Sequence, residues 1–157
     1  APHQLHLTLK FLGDTEENLL GLVTSRMSKI ASAHKALDLS LAECGCFPQQ
    51  GNPRVLWTSI EEQSGGLLKL QHELETAMEQ LGFQKEDRPF SPHLTLARVR
   101  EGRHPLGLRE AVCALKVASL SQRADALYLV QSVLKPSGAE YSTIFSARLQ
   151  NSQSMML

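Results

Sequence analysis

The chain has 157 residues, of which 42% are hydrophobic and 20% are charged, values typical of one globular domain or of two small lobes that share a core. Its 16 basic residues balance its 16 acidic residues, so the formal net charge at pH 7 is zero. This balance excludes a broad positive surface for long duplex nucleic acid, although a local cluster of donors could still bind a small anion.

Cysteine usage and hydropathy both favour a cytoplasmic protein. The three cysteines, Cys44, Cys46 and Cys113, are an odd number without Cys-x-x-Cys spacing, so we expect reduced thiols rather than a disulfide framework. No apolar run is long enough to cross a bilayer, and the first ten residues have no cleavable signal pattern. We therefore expect no membrane contact.

The start of the chain predicts a strand and then a helix. Apolar residues alternate with His6, Thr8 and Lys10 over residues 5–12, which indicates a strand with one apolar and one polar face. Asp14, followed three residues later by Glu17, is typical of a helix N-cap. Apolar residues at helical spacing then predict a helix over residues 15–32.

The rest of the chain alternates further strands and helices. Strands are predicted at residues 37–41, 54–60, 91–99, 117–122, 124–135 and 140–149, and helices at residues 64–81 and 108–115. This order predicts an α+β fold with largely antiparallel sheets. We expect one bilobal domain over residues 1–150, with two pseudo-equivalent lobes, and a disordered tail at residues 151–157.

One four-residue motif occurs twice, as His6-Leu7-Thr8-Leu9 and as His93-Leu94-Thr95-Leu96. On a strand, residues two apart share a face, so each motif presents an imidazole beside a hydroxyl, opposite its leucines. If the two strands are neighbours, two histidines and two threonines converge on one small volume.

Such a set of side chains is suited to displacement at a phosphodiester. One histidine can take a proton from the attacking oxygen while the other gives a proton to the leaving oxygen. The threonine hydroxyls can bind the non-bridging oxygens, and Lys10, on the face of His6, can help to stabilise developing charge. This chemistry requires no metal or other cofactor.

Other interpretations of the same residues stay open. His3, His6 and His93 could form a zinc site, although no carboxylate or cysteine falls at a supporting spacing. Trp57 and Tyr128 are assigned to the core rather than to base stacking. Arg100, Arg103 and Arg109 are interpreted as solvated charges, one of which could face the substrate.

Both motifs, with their flanking residues, resemble those of the two-histidine (2H) phosphoesterase superfamily. The segments LHLTLKFLGD (residues 5–14) and RPFSPHLTLAR (residues 88–98) are similar to the two signatures of its bacterial branch of RNA 2′,3′-cyclic phosphodiesterases, also called 2′-5′ RNA ligases and LigT-like. RVLW (residues 54–57) and QSVLKPSGAEYSTI (residues 131–144) follow in the expected order. The resemblance covers residues 5–149.

The resemblance implies a bilobal α+β fold, with two antiparallel sheets and flanking helices around a central groove and one motif from each lobe. It implies metal-independent hydrolysis of an RNA or nucleoside 2′,3′-cyclic phosphate to the 2′-phosphate, with 2′-5′ RNA ligation as a further activity. The alternative is an idle module that binds a nucleotide such as AMP. Relatives of this branch usually carry a strand and a helix ahead of the first motif, which this chain is expected to lack; we expect a monomer.

Roles of single residues also follow from the resemblance. His6 would be the general acid, His93 the general base, and Thr8 and Thr95 the phosphate binders. Arg98 would contact the phosphate, although strict alternation along its strand points it away from His93 unless a bulge intervenes. Lys10 and Phe11 are further candidates for substrate binding.

Overall fold

The structure is a computed structural model, and it describes residues 5–100, 105–117, 120–135 and 138–151. Three helices and six strands are formed within these ranges. The helices are α1 (Glu17–Ala31), α2 (Gly66–Glu79) and α3 (Leu108–Cys113). The strands are β1 (Leu37–Phe47), β2 (Val55–Glu61), β3 (His93–Arg98), β4 (Ser121–Ala124), β5 (Ala126–Lys135) and β6 (Gly138–Arg148).

The chain divides into two compact units. The first contains the residues up to Leu9 together with Asp38–Glu62 and Phe90–Gln122. The second contains Lys10–Leu37, Gln63–Pro89 and the residues from Arg123 onward.

A four-stranded sheet in the order β3-β2-β1-β4 includes β2 and β3 of the first unit and all of β1 after Leu37. The β1–β2 and β2–β3 pairs are antiparallel, and each contains a register shift. One face of β2 is buried, since Thr58 and Ile60 are 1% and 6% exposed. The other face carries the motif residues of β3 and is described below.

The second unit packs α1 and α2 with the antiparallel pair β5–β6. Both helices bury apolar residues three and four positions apart, so each contributes one stripe to the core. The buried apolar residues of this unit are Val23, Met27, Ile30, Ala31, Leu37, Leu67, Leu70, Leu74, Met78, Leu127, Ala147 and Leu149. None of the helices within the described ranges is both long enough and apolar enough to cross a membrane.

The predicted α+β class with two antiparallel sheets is confirmed, and every predicted helix and strand after residue 12 has a counterpart. The strand predicted at residues 5–12 is wrong in extent, because Leu7 alone forms a ladder pair among the residues described there. Phe11, on the apolar face of that predicted strand, is 77% exposed. Residues 152–157, most of the predicted tail, lie outside the described ranges.

The predicted N-cap of α1 is also wrong. The helix begins at Glu17 with Glu16 in the capping position, so the Asp14 carboxylate comes too early in the chain to cap the first amides. The local turn is closed instead by the Thr15 hydroxyl, which donates to the Gly13 carbonyl at 3.2 Å.

Candidate active site

The two copies of the motif lie side by side because Leu7 pairs with Leu94 in an antiparallel bridge. In an antiparallel pair, residues directly opposite each other share a face, and neighbouring residues alternate between faces. If the pairing extends by one residue on either side of this bridge, the histidine of each motif lies opposite the threonine of the other. All four side chains would then share the face away from the two leucines, and both motifs belong to the first unit.

In that register the two histidines would occupy diagonal corners, with His6 opposite Thr95 and Thr8 opposite His93. Diagonal Cβ atoms in an antiparallel pair are about 7–8 Å apart. Thr8, His93 and Thr95 are half-buried, whereas His6 is exposed. Two imidazoles and two hydroxyls would thus border one surface.

A β-bulge brings Arg98 to the same face. The β2–β3 ladder pairs Ser59 with His93, Trp57 with Thr95, Leu56 with Ala97 and Val55 with Arg98. Leu96 is therefore an extra residue on β3 relative to β2. The β3 side chains after it point to the opposite face from the one that strict alternation predicts. Because Arg98 and His93 pair with β2 residues four apart, they share a face. Strict alternation pointed Arg98 the other way, and the bulge is the reason that it does not.

The His93 imidazole is held by a hydrogen bond and by two aromatic rings. Its Nδ1 lies 2.7 Å from the Ser91 carbonyl oxygen, an acceptor that selects the tautomer with hydrogen on Nδ1. The Phe47 ring meets the imidazole edge-on, with centroids 5.2 Å apart and planes at 80°. The Trp57 ring lies 6.4 Å away at 60°. The hydrogen bond to Ser91 thus engages Nδ1 and not Nε2.

Trp57 covers Gly45 on the same face of the sheet. The two residues are partners in the β1–β2 ladder, and a Cβ added at Gly45 would overlap the indole ring. Trp57 is half-buried, and its Nε1 is buried without a hydrogen-bond partner in the described part of the chain. Trp57 is not the core residue expected from the sequence, because it lies on the face of β2 and β3 that carries His93 and Thr95. Tyr128, assigned to the core as well, is 59% exposed.

Lys10 and Phe11, the remaining candidates, belong to the second unit. The Lys10 side chain is only 8% exposed, and its ammonium pairs with the Glu75 carboxylate and the Gln84 carbonyl. Its donors therefore have internal partners, and the structure gives Lys10 a packing role that the sequence did not predict. Phe11 is exposed, so its ring is open to solvent rather than packed in the core of that unit.

A metal site receives no support from the described residues. No group of three or more histidine, cysteine or acidic side chains within those ranges could hold a metal ion. The zinc alternative also needed His3, which lies outside the described residues. The three cysteines are free thiols, and burial raises the pKa of the Cys46 thiol.

The model of the 2′-5′ RNA ligase superfamily matches residues 1–135 of the chain. The chain belongs to this superfamily. It is 32% identical to the RNA 2′,3′-cyclic phosphodiesterase of Archaeoglobus fulgidus over 146 residues, which cover 91% of this chain and 78% of that protein.

Solved structures agree with this assignment. The crystal structure of TT0787 from Thermus thermophilus is similar, with a TM-score of 0.80 and 31% identity over 97% of this chain and 81% of that one. Escherichia coli LigT complexed with 3′-AMP shares the fold at a TM-score of 0.71 and 24% identity, over 95% and 79% of the two chains. The expected LigT-like fold is thereby confirmed.

The resemblance implied one motif from each lobe. By residue range both motifs fall in the first compact unit, and the bridge between Leu7 and Leu94 attaches the first motif to β3.

Proposed function

We propose that this protein hydrolyses the 2′,3′-cyclic phosphate of RNA ends or nucleosides to the 2′-phosphate. Water attacks phosphorus and gives its proton to His93, while the bond from phosphorus to O3′ breaks and O3′ takes a proton from His6. The products are a 2′-phosphate and a free 3′-hydroxyl. The chain's membership in the 2′-5′ RNA ligase superfamily and the name of its archaeal relative support this reaction.

The observation that carries the proposal is the register of the bridge between Leu7 and Leu94. In this register the two imidazoles would lie at diagonal corners of one surface, where a base and an acid can act on opposite sides of phosphorus, as in-line displacement requires. The Ser91 carbonyl, by accepting from Nδ1 of His93, favours the tautomer whose Nε2 can accept the water proton.

The other residues of this face are assigned to phosphate binding. The hydroxyls of Thr8 and Thr95 donate to the non-bridging oxygens, on which charge develops in the transition state. The Arg98 guanidinium, brought to this face by the bulge at Leu96, can donate two parallel hydrogen bonds to a phosphate.

We propose that the enzyme acts as a monomer and without a metal ion. One unit of one chain supplies both histidines and both threonines, so the proposed site needs no residue from a second subunit. The two imidazoles supply the acid and the base that a metal-bound water would otherwise provide. The three free thiols favour the reducing environment of the cytoplasm.

The test is ³¹P NMR of 2′,3′-cyclic AMP incubated with purified protein in EDTA. We expect the signal of the cyclic phosphate to be replaced by that of the 2′-phosphate alone. A 3′-phosphate product would contradict the assigned leaving group, and activity that EDTA abolishes would favour the zinc site. Tight binding of AMP by a folded protein without phosphodiesterase activity would favour the non-catalytic nucleotide-binding module.

A further inference from the structure

The connection between β1 and β2 is fastened to α3 by one arginine. This connection, residues 48–54, is called the β1–β2 loop. The Nη2 atom of Arg109, near the start of α3, donates to the Pro48 carbonyl at 2.9 Å and to the Gly51 carbonyl at 2.7 Å. Two hydrogen bonds from a half-buried guanidinium therefore hold the loop at its first and fourth residues.

The loop in turn fixes Phe47, the last residue of β1. The Phe47 carbonyl accepts from the Arg54 amide at 2.7 Å, so Phe47 closes the loop from the strand side. Its ring packs on Trp57 with centroids 5.1 Å apart, and edge-on against His93 at 5.2 Å. The next residue in the chain after Phe47 is Pro48, whose carbonyl Arg109 holds.

These contacts connect α3 with His93, the proposed general base. We propose that Arg109 is a positioning residue for His93, acting through the β1–β2 loop and the Phe47 ring. The Ser91 carbonyl fixes one edge of the imidazole, and the Phe47 ring limits rotation about the remaining side-chain torsions. The inference rests on the proposed function, in which Nε2 of His93 must face the attacking water.

A direct role of Arg109 in substrate binding fits the structure less well. Its Nη2 already donates to two backbone carbonyls, and each of those carbonyls would lose this donor if the guanidinium turned to a phosphate. Both bonds come from a single nitrogen, so a lysine ammonium can reproduce them. This gives a conservative variant that separates positioning from the flat, bidentate recognition that only arginine provides.

The experiment compares Arg109→Gln, Arg109→Lys, Phe47→Leu and the double variant Arg109→Gln/Phe47→Leu with wild type. Arg148→Gln is the matched control, because Arg148 is 84% exposed on β6. The readouts are kcat and KM for 2′,3′-cyclic AMP, urea unfolding to confirm the fold, and the ¹⁵N shifts of the His93 ring, which report its tautomer.

We expect Arg109→Gln and Phe47→Leu each to lower kcat on the order of tenfold, with KM changed by less than about twofold, because they misplace a base without removing a substrate contact. The double variant should be no slower than Phe47→Leu, since the arginine acts through the ring. Arg109→Lys should keep most of the activity, and Arg148→Gln all of it. In Arg109→Gln the ring shifts should move toward a mixture of the two tautomers.

The inference is overturned if Arg109→Gln leaves both kcat and the His93 ring shifts unchanged, or if its effect adds fully to that of Phe47→Leu. A large rise in KM alone would make Arg109 a substrate ligand instead. If wild type has no activity, the proposed function fails. The ring shifts of Arg109→Gln still decide whether Arg109 positions His93.

Discussion

Leu7 is the backbone partner of Leu94, and through this one pair the two copies of the motif become neighbours. The leucines occupy the face away from the motif histidines, so the pair that sets the register takes no part in the chemistry. A single antiparallel bridge thus brings together two motifs that are far apart in the sequence. The mutations below test the parts of the structure that surround this contact.

Arg98→Ala should weaken the use of a phosphate-bearing substrate. The bulge at Leu96 puts this guanidinium on the face of His93, where it can bind the phosphate in the ground state and in the transition state alike. We expect kcat/KM for 2′,3′-cyclic AMP to fall on the order of tenfold to a hundredfold, mainly through KM. Arg148→Ala is the control and should behave as wild type. An unchanged KM in Arg98→Ala would remove Arg98 from the site.

Gly45→Ala should displace Trp57, because the new Cβ would overlap the indole ring. We expect a loss of about 1–3 kcal/mol in the free energy of unfolding, together with lower kcat, since Trp57 also packs near His93. Adding Trp57→Leu should recover part of the stability by making room for the methyl group. If Gly45→Ala is as stable and active as wild type, the close packing of Trp57 on β1 is wrong.

Lys10→Met should act on stability rather than on turnover. It would leave the Glu75 carboxylate, 8% exposed, without its cation, and we expect a loss of about 3 kcal/mol in urea unfolding. Lys10→Met/Glu75→Gln should recover much of this loss, because the amide oxygen can still accept from the Glu86 amide. A large rise in KM without loss of stability would instead indicate that Lys10 binds the substrate.

The pair of His34 and Glu73 should make stability depend on pH in the acid range. A hydrogen bond from the buried His34 ring, at 2.9 Å, is the main cause that lowers the pKa of Glu73 below its ordinary value of 4.5. A carboxyl with a lowered folded-state pKa stabilises the fold above its unfolded pKa, and this contribution is lost as the pH falls through the folded value.

Urea unfolding of wild type and Glu73→Gln at pH 7 and at pH 3 measures this contribution. Because the Glu73 side chain is 39% exposed, we expect at most about 1 kcal/mol at pH 7, shrinking toward zero at pH 3. A difference for Glu73→Gln that is the same at both pH values would contradict the hydrogen bond as its source.

The sequence predicted those features that depend on local pattern. Helical and alternating spacing predicted α1, α2 and the strands, because both patterns are visible in neighbouring residues of the sequence. The repeated motif singled out His6, Thr8, His93 and Thr95 as candidate site residues in the same way. The first motif was expected on a full strand, and it forms one bridge instead.

Features that depend on distant partners could not be predicted in this way. The bulge at Leu96 exists only relative to β2, so strict alternation placed Arg98 on the wrong face. Lys10 looked like a groove residue because its partner Glu75 lies 65 positions away on α2. Phe47 and Arg109 gave no motif signal, since their roles come from contacts made after folding.

The central claim, that His93 is the base and His6 the acid on one phosphate, is tested most directly by pH–rate profiles of three single variants. We predict a bell-shaped profile for wild type, and losses on the order of 10²–10⁴-fold in His6→Ala and His93→Ala. His93→Ala should also lose the rise on the acid side, and His6→Ala the decline on the basic side. His72→Ala, an exposed histidine on α2, is the control and should match wild type. Full activity in His6→Ala or in His93→Ala would contradict the account. So would a pH–rate profile that keeps both its acid and its basic limb in each of these two variants.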